Sequence, residues 1–205
     1  MIDLERQKNN FKDHIATFTD YGNIKILDFK KPNSNHYRIR FLFEEDYCRL
    51  HISGDLGELI AVNYNNMTYD HFSDFVNDVG YFRSKIVCHS RALDYYDEDK
   101  AREEIVELLK EHETYEDACS DYYFYCDSES ETPYREERIA YFLDEVMGYF
   151  DDQLGLSSTG YELLTEKDDR IYEGSDDFGK EETGILDLYM LAFKLAQKQL
   201  KEEGA

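Results

Sequence analysis

Between residues 24 and 64 the chain runs through four apolar segments that alternate with a period of two: Ile24–Phe29, Tyr37–Phe43, Tyr47–Ser53 and Glu58–Tyr64. In the second, Tyr37, Ile39, Phe41 and Phe43 fall on one side, and Arg38, Arg40 and Leu42 on the other. Such alternation marks a strand with one buried face. The connections are Lys31-Pro32-Asn33-Ser34-Asn35, Glu44-Glu45-Asp46 and Ser53-Gly54-Asp55-Leu56-Gly57. Loops this short join antiparallel neighbours and cannot hold a crossover helix, so a four-stranded meander is predicted. Gly54 and Gly57 read as the positive-φ positions of a hairpin turn.

Helical spacing surrounds this sheet. Leu4, Phe11, Ile15 and Phe18 predict a helix over residues 2–18. Phe72, Phe75, Val76 and Val79 predict another over Met67–Val79, capped by Thr68 and ended by Gly80. Tyr81–Cys88 reads as the start of a further helix. Beyond it, Ala101, Ile105, Leu108 and Leu109 form the apolar stripe of a helix over 97–113. Pro133 suits the first turn of a helix reaching Phe150, with Ile139, Phe142, Leu143 and Val146 inward. The glycine-rich stretch 151–183 reads as loop, with a short element near Tyr161–Thr165. A final helix runs from Gly184 to Lys201 on Ile185, Leu188, Leu191, Ala192 and Leu195. The fold class is therefore α+β. The expected division is an alpha-beta unit over residues 1–91 and an acidic, mostly helical region over 92–205 that packs on it.

Charge divides the chain in much the same way. Of the net −23, residues 1–91 carry almost none, with 13 acids against 12 bases. Residues 92–182 hold 30 acids and 8 bases, and residues 183–205 hold three of each. An acidic disordered segment would be poor in aromatics, whereas this chain has 18 Tyr and 13 Phe, so it should fold. No signal-peptide pattern and no apolar run of membrane-spanning length is present, which points to the cytoplasm. The scattered Cys48, Cys88, Cys119 and Cys126 read as reduced, partly buried thiols, with neither disulfide nor zinc spacing.

Motifs for catalysis are missing. Asp97-x-Asp99 and Asp168-Asp169 do not match a calcium loop. Asp55 and Glu58 flank a turn before a strand as a metal-dependent nuclease's carboxylates would, but no lysine follows in that strand. His89-Ser90 and His51-x-Ser53 are too close in sequence for a nucleophile–base pair, and there is no phosphate-binding glycine loop. The reading is a protein that is not an enzyme and needs no cofactor or metal.

The acids themselves are the candidate site. On the helix at 97–113, Glu103, Glu104, Glu107 and Glu111 lie off the apolar stripe, behind Asp97 and Asp99 at its N-terminal end. Glu103, Glu107 and Glu111 recur at a spacing of about 6 Å, close to that of phosphates along a strand. Glu116, Asp117 and Asp121 continue the run, and Asp168, Asp169, Asp176 and Asp177 form a last cluster. A solvated, solubilising face is the plain alternative. Segregation favours an electrostatic footprint, because a one-signed field attracts a partner of opposite sign. Tyr115, Tyr122, Tyr123, Tyr125 and Tyr134, interleaved with the acids, suit an interface.

Leu50-His51-Ile52-Ser53-Gly54-Asp55-Leu56-Gly57, then Phe72-x2-Phe75 and Gly80-Tyr81-Phe82-x-Ser84-Lys85, resembles a diffuse family of small acidic bacteriophage proteins over about 40 residues. No functional residue comes across with that motif. A small, acidic, motif-poor phage protein is similar to anti-CRISPR inhibitors, several of which mimic DNA. The resemblance implies a host-cytoplasmic inhibitor with no direct nucleic-acid contact. Its partner would be a basic nucleic-acid-binding protein, a CRISPR effector nuclease and Cas9 first among them, whose cleft the acidic surface would occupy. Two other readings stand beside it. One is an acidic protein-interaction module without mimicry; the other is a metal-dependent hydrolase or nuclease.

Overall fold

The computed structural model describes residues 3–111, 132–167 and 177–203. The fold is α+β, in two compact units: Met1–Leu93 with Thr183–Ala205, and Asp94–Glu182.

In the first unit, six of the described strands form one antiparallel sheet in chain order: β1 (Ile15–Asp20), β2 (Ile24–Lys30), β3 (Ile39–Glu44), β4 (Arg49–Gly54), β5 (Leu59–Val62) and β6 (Ile86–His89). The alternation read from the sequence is the pleat. Ile39, Phe41 and Phe43 are fully buried, while Arg40 and Leu42 face the other side. Gly54 ends β4 at φ 152, and a Cβ there would lie 1.9 Å from the Arg38 carbonyl oxygen, so only glycine fits.

The inner face is covered by three helices: α2 (Phe72–Val76), α3 (Val79–Arg83) and the C-terminal helix, which is numbered α7 below (Ile185–Glu203). Phe193 is its centre, with its ring 4.8 Å from Phe72 and 5.3 Å from Phe41. Tyr189, also on this helix, donates its hydroxyl to the Leu56 carbonyl at 3.1 Å, and burial pushes its pKa up to about 12. At the sheet's first edge, the Ala16 amide donates to the Gln199 side chain at 2.6 Å, which covers an otherwise free edge group.

Several expectations need correction. Residues 2–18 are not one helix. Helix α1 covers only Leu4–Gln7, a single 3-10 turn follows to Phe11, and Ile15–Asp20 is a strand. Thr17 and Thr19 favour the pleat, and pairing with β2 along all six residues outweighs the helical spacing. The meander therefore gains a strand at its start. It gains another at its end, because Ile86–His89 pairs with β5 instead of being helical. Met67–Val79 is likewise not one helix. Thr68 meets the His71 ring at 2.9 Å instead of capping, Asp78 caps α3 through the Tyr81 amide, and Gly80 lies inside α3. Tyr37 and Tyr47 do not begin strands. Tyr37 has φ 55, and Tyr47 ends a 3-10 turn. The C-terminal helix belongs to the unit built on the sheet, not to an acidic region running through residue 205. Cys88 is exposed, Cys48 is half-buried, and Cys119 and Cys126 lie outside the described residues. No described helix is long and apolar enough to cross a membrane.

Within the first unit, the points where the chain leaves and returns are bonded together. The Thr183 amide donates to the Leu93 carbonyl at 2.9 Å, and its hydroxyl lies 3.1 Å from the carbonyls of both Ala92 and Leu93. The second unit is thus an insertion between adjacent residues of the first.

One polar side chain, His14, is buried in the first unit's core. His14 is 5% exposed among Phe11, Phe29 and Tyr37. Its Nε2–H donates to the Tyr37 carbonyl at 3.1 Å, and Nδ1 has no partner. Burial lowers its pKa below the usual 6.5, opposed by backbone hydrogen bonds to residues 37 and 36 and helped by the charges of His36 and Lys31. Below pH 6.5 the unfolded chain therefore binds the proton that the folded chain refuses, so this residue's contribution to stability is lost as pH falls. Urea midpoints measured from pH 8 to pH 5 are expected to fall less steeply for His14→Gln than for the parent protein.

Candidate functional site

The second unit coincides with the acidic block. Asp94–Glu182 contains 30 acids and 8 bases, a net −22, which leaves −1 for the rest of the chain. Its frame is β7 (Asp94–Tyr96) paired with β10 (Lys180–Glu182), the β8–β9 hairpin (Phe150–Asp151 and Gly155–Leu156), and helices α4 (Glu98–Glu111), α5 (Thr132–Met147) and α6 (Ser158–Lys167). Helix α4 follows the predicted span, and α6 is the short element expected near Tyr161–Thr165, longer at both ends. Helix α5 ends at Met147, so Phe150 sits on a strand instead of a helix. Ala101 and Ile105 of α4 pack into one core with Phe142, Val146, Leu164 and Phe178. Phe178 stacks on Tyr161 with centroids 5.9 Å apart.

The acids read from the sequence divide by what they touch. Asp97 is the cap of α4, accepting the Lys100 amide at 2.8 Å, while its own amide donates to the Gly179 carbonyl at 2.8 Å. Glu104 accepts the Gly179 amide at 2.7 Å and lies 3.5 Å from Lys100. Gly179 is needed there, since its φ is 73 and a Cβ would meet the Asp97 carbonyl oxygen at 2.3 Å. Asp177 pairs with Lys180. Asp97 and Glu104 thus tie α4 to the Gly179 turn, while the Asp177 pair is local. Asp99, Glu103 and Glu107 are exposed and make no hydrogen bond or ion pair among the described residues. Glu111 is the last residue of α4, and its side chain is not described. Glu116, Asp117, Asp121, Asp168, Asp169 and Asp176 lie outside the described residues.

Among the described side chains of this unit, the three cations are engaged by carboxylates. Lys100 binds Glu181, Arg102 reaches Asp144 at 2.8 Å and Glu98 at 3.4 Å, and Lys180 binds Asp177. The hydrogen bond from Lys100 holds the Glu181 carboxyl below its usual range, and the same contact raises Lys100. With these three cations committed internally, Asp99, Glu103 and Glu107 face water with no cation beside them among the described residues. Asp144, Glu145, Asp151, Asp152, Glu162 and Glu166 are exposed as well; Asp144 is the partner of Arg102, and Asp151 accepts the amides of Gln153 and Leu154. The periodicity of Phe142, Leu143 and Val146 already puts Asp144 and Glu145 off the buried stripe. Tyr141 and Tyr149 are exposed on the same unit.

Of the two residues considered for nuclease chemistry, Asp55 has a structural partner for its carboxylate and Glu58 is held through its backbone. Asp55 accepts the Tyr37 amide at 2.8 Å, and its own amide donates to the Arg38 carbonyl at 2.9 Å. The Glu58 amide donates to the Ser90 hydroxyl at 2.8 Å. Among the described residues, no three His, Cys, Asp or Glu side chains converge as metal ligands would. No family model, curated protein or solved structure matches the chain.

The contrast between neighbouring acids is testable. Glu104→Ala leaves the Gly179 amide without its partner and should destabilise the unit by about 1–3 kcal/mol. Glu103→Ala, one residue away on the exposed side, should change stability by no more than about 0.5 kcal/mol. Thermal unfolding of the two variants checks this, with amide exchange at Gly179 as the local readout.

Proposed function

We propose that the acidic unit is a polyanionic docking module that occupies the basic, nucleic-acid-binding cleft of another protein and excludes its nucleic acid. The observation that carries this reading is the coincidence of the charge boundary with the structural one, −22 against −1. Solubility alone does not require it, because carboxylates distributed over both units would serve as well. Confinement of one sign to one folded unit creates a directional field that steers and speeds encounter with an opposite charge.

The geometry of α4 supports the same reading. Glu103 and Glu107 stand one turn apart on a rigid helix, about 6 Å along its axis. Like charges at this spacing cost a helix a few tenths of a kcal/mol, which a partner's cations would reverse. A surface made of fixed carboxylates needs no sequence readout, since a cleft that grips a duplex recognises mostly backbone charge and shape. The phage resemblance suggests a CRISPR effector as the partner, with Cas9 the first to try. In this role the protein performs no catalysis.

The experiment is a competition. Guide-loaded Cas9 and other CRISPR effectors are mixed with target duplex, with and without the protein, at about 50 and about 200 mM salt. Blocked duplex binding that weakens as salt rises is expected. The triple variant Asp99→Lys, Glu103→Lys, Glu107→Lys should lose inhibition by about tenfold or more. Unchanged duplex binding in every effector would sink the proposal for those partners. Inhibition that survives the triple reversal at full strength would assign binding to the neutral unit.

A further inference from the structure

We propose that the outer face of the first unit's sheet carries an oxyanion site for a small phosphate-bearing molecule, formed by Lys30, Arg38 and Arg40 with the Ser53 hydroxyl. The inference stands apart from the acidic unit's role. In a chain of net −23, residues 29–43 contain no Asp or Glu but four cations: Lys30, Lys31, Arg38 and Arg40. Three neighbouring strands bring most of them to one place. Lys30 and Asp28 come from β2, Arg38 and Arg40 from β3 and the residues leading into it, and Ser53 from β4, and these five line a recess of roughly 130 Å³. Asp28, Arg40 and Ser53 form one row across the pleat, in register Asp28↔Arg40 and Arg40↔Ser53.

The charges are positioned but not cancelled. Arg40 donates Nε and one terminal nitrogen to the two Asp28 oxygens, both at 2.8 Å. This fixes its plane and leaves its remaining donors free. Lys31 is engaged by Asp13 at 2.7 Å. Lys30 and Arg38 are exposed and have no carboxylate partner among the described residues.

The Ser-Gly-Asp-Leu-Gly turn, which the acidic site does not use, holds this arrangement. Tyr37, beside Arg38, adopts φ 55, a left-handed conformation that a bulky side chain resists. It is held there by its amide's hydrogen bond to Asp55, by His14 on its carbonyl, and by its ring against Phe11 at 5.5 Å. The Asp55 amide then binds the Arg38 carbonyl at 2.9 Å, in the space Gly54 leaves open. A strained residue fixed from three sides thus sets where Arg38 emerges.

Donors arriving from three strands suit the tetrahedral oxygens of a phosphate better than a planar carboxylate. A nucleic-acid strand suits the site poorly. No Phe, Tyr or Trp lines the recess, and the chain's overall charge repels a long polyanion, while a small ligand feels mainly groups within a Debye length of about 8–10 Å.

The test is an amide-shift titration of the full chain with inorganic pyrophosphate and, separately, a ten-nucleotide oligothymidylate. Saturable shifts confined to residues 30–40 and Ser53 are expected with pyrophosphate, with a Kd of about 1 mM or tighter. Lys30→Gln with Arg38→Gln should weaken binding by about tenfold or more. Glu103→Lys with Glu107→Lys should leave the shifts at residues 30–40 and Ser53 in place. The two glutamine changes are on the surface, so unchanged shifts elsewhere report that the fold is intact. No saturation by about 10 mM, equal binding by the glutamine variant, or tighter binding of the oligonucleotide would each overturn the proposal.

Discussion

The ring of Phe193 lies at the middle of the inner sheet face, in contact with Phe41, Phe43, Tyr69 and Phe72. It brings the last helix onto strands that lie more than a hundred residues earlier in the chain. Without that contact the sheet's apolar face would be open and the chain would not return after Glu182. Closing so long a loop is unfavourable, but the cost grows only logarithmically with length, by about 0.6 kcal/mol per doubling. Burial of a phenylalanine side chain contributes about 1.5–3 kcal/mol, and Tyr189, Met190, Leu191, Ala192 and Ala196 on the same helix add to it. A nearly neutral core unit can therefore carry a separate, highly charged insertion.

That insertion obeys a different balance. Its core is small, and its described cations hold it together at particular points: Lys100 at β10, Arg102 at α5, Lys180 at the turn before it. Carboxylates near those points are structural, and the exposed Asp99, Glu103 and Glu107 have no cation beside them among the described residues. The same charges that would serve docking in the proposed role make the unit the electrostatically strained part of the chain. A cationic partner relieves the strain, and this couples function to the unit's stability.

Sequence periodicity was most informative where one residue's environment is set by its immediate neighbours. The alternation of Ile39, Phe41 and Phe43 and the helical stripe of Ala101 and Ile105 are local patterns, and both appear as read. Ile15–Asp20 and Ile86–His89 were illegible because each is a strand only by virtue of the strand beside it. Leu4, Phe11, Ile15 and Phe18 satisfied a helical period by coincidence, and nothing local contradicted it. The helix at 185–203 was read correctly as a helix, but its partner could not be, since an amphipathic stripe does not name the face it covers. In the acidic unit, exposure of Glu103 and Glu107 followed from the stripe. The structural duties of Asp97 and Glu104 depend on Gly179, some 75 residues along the chain, and only the fold brings them together.

Amide hydrogen exchange on the full chain bound to guide-loaded Cas9 is the first measurement to make of whether the acidic unit is the part in contact. Binding through carboxylates on rigid helices should slow exchange within 98–111 and 144–167 and leave the strands between residues 15 and 62 unchanged. Protection confined to the sheet, with the acidic helices exchanging as they do in the free protein, would contradict it.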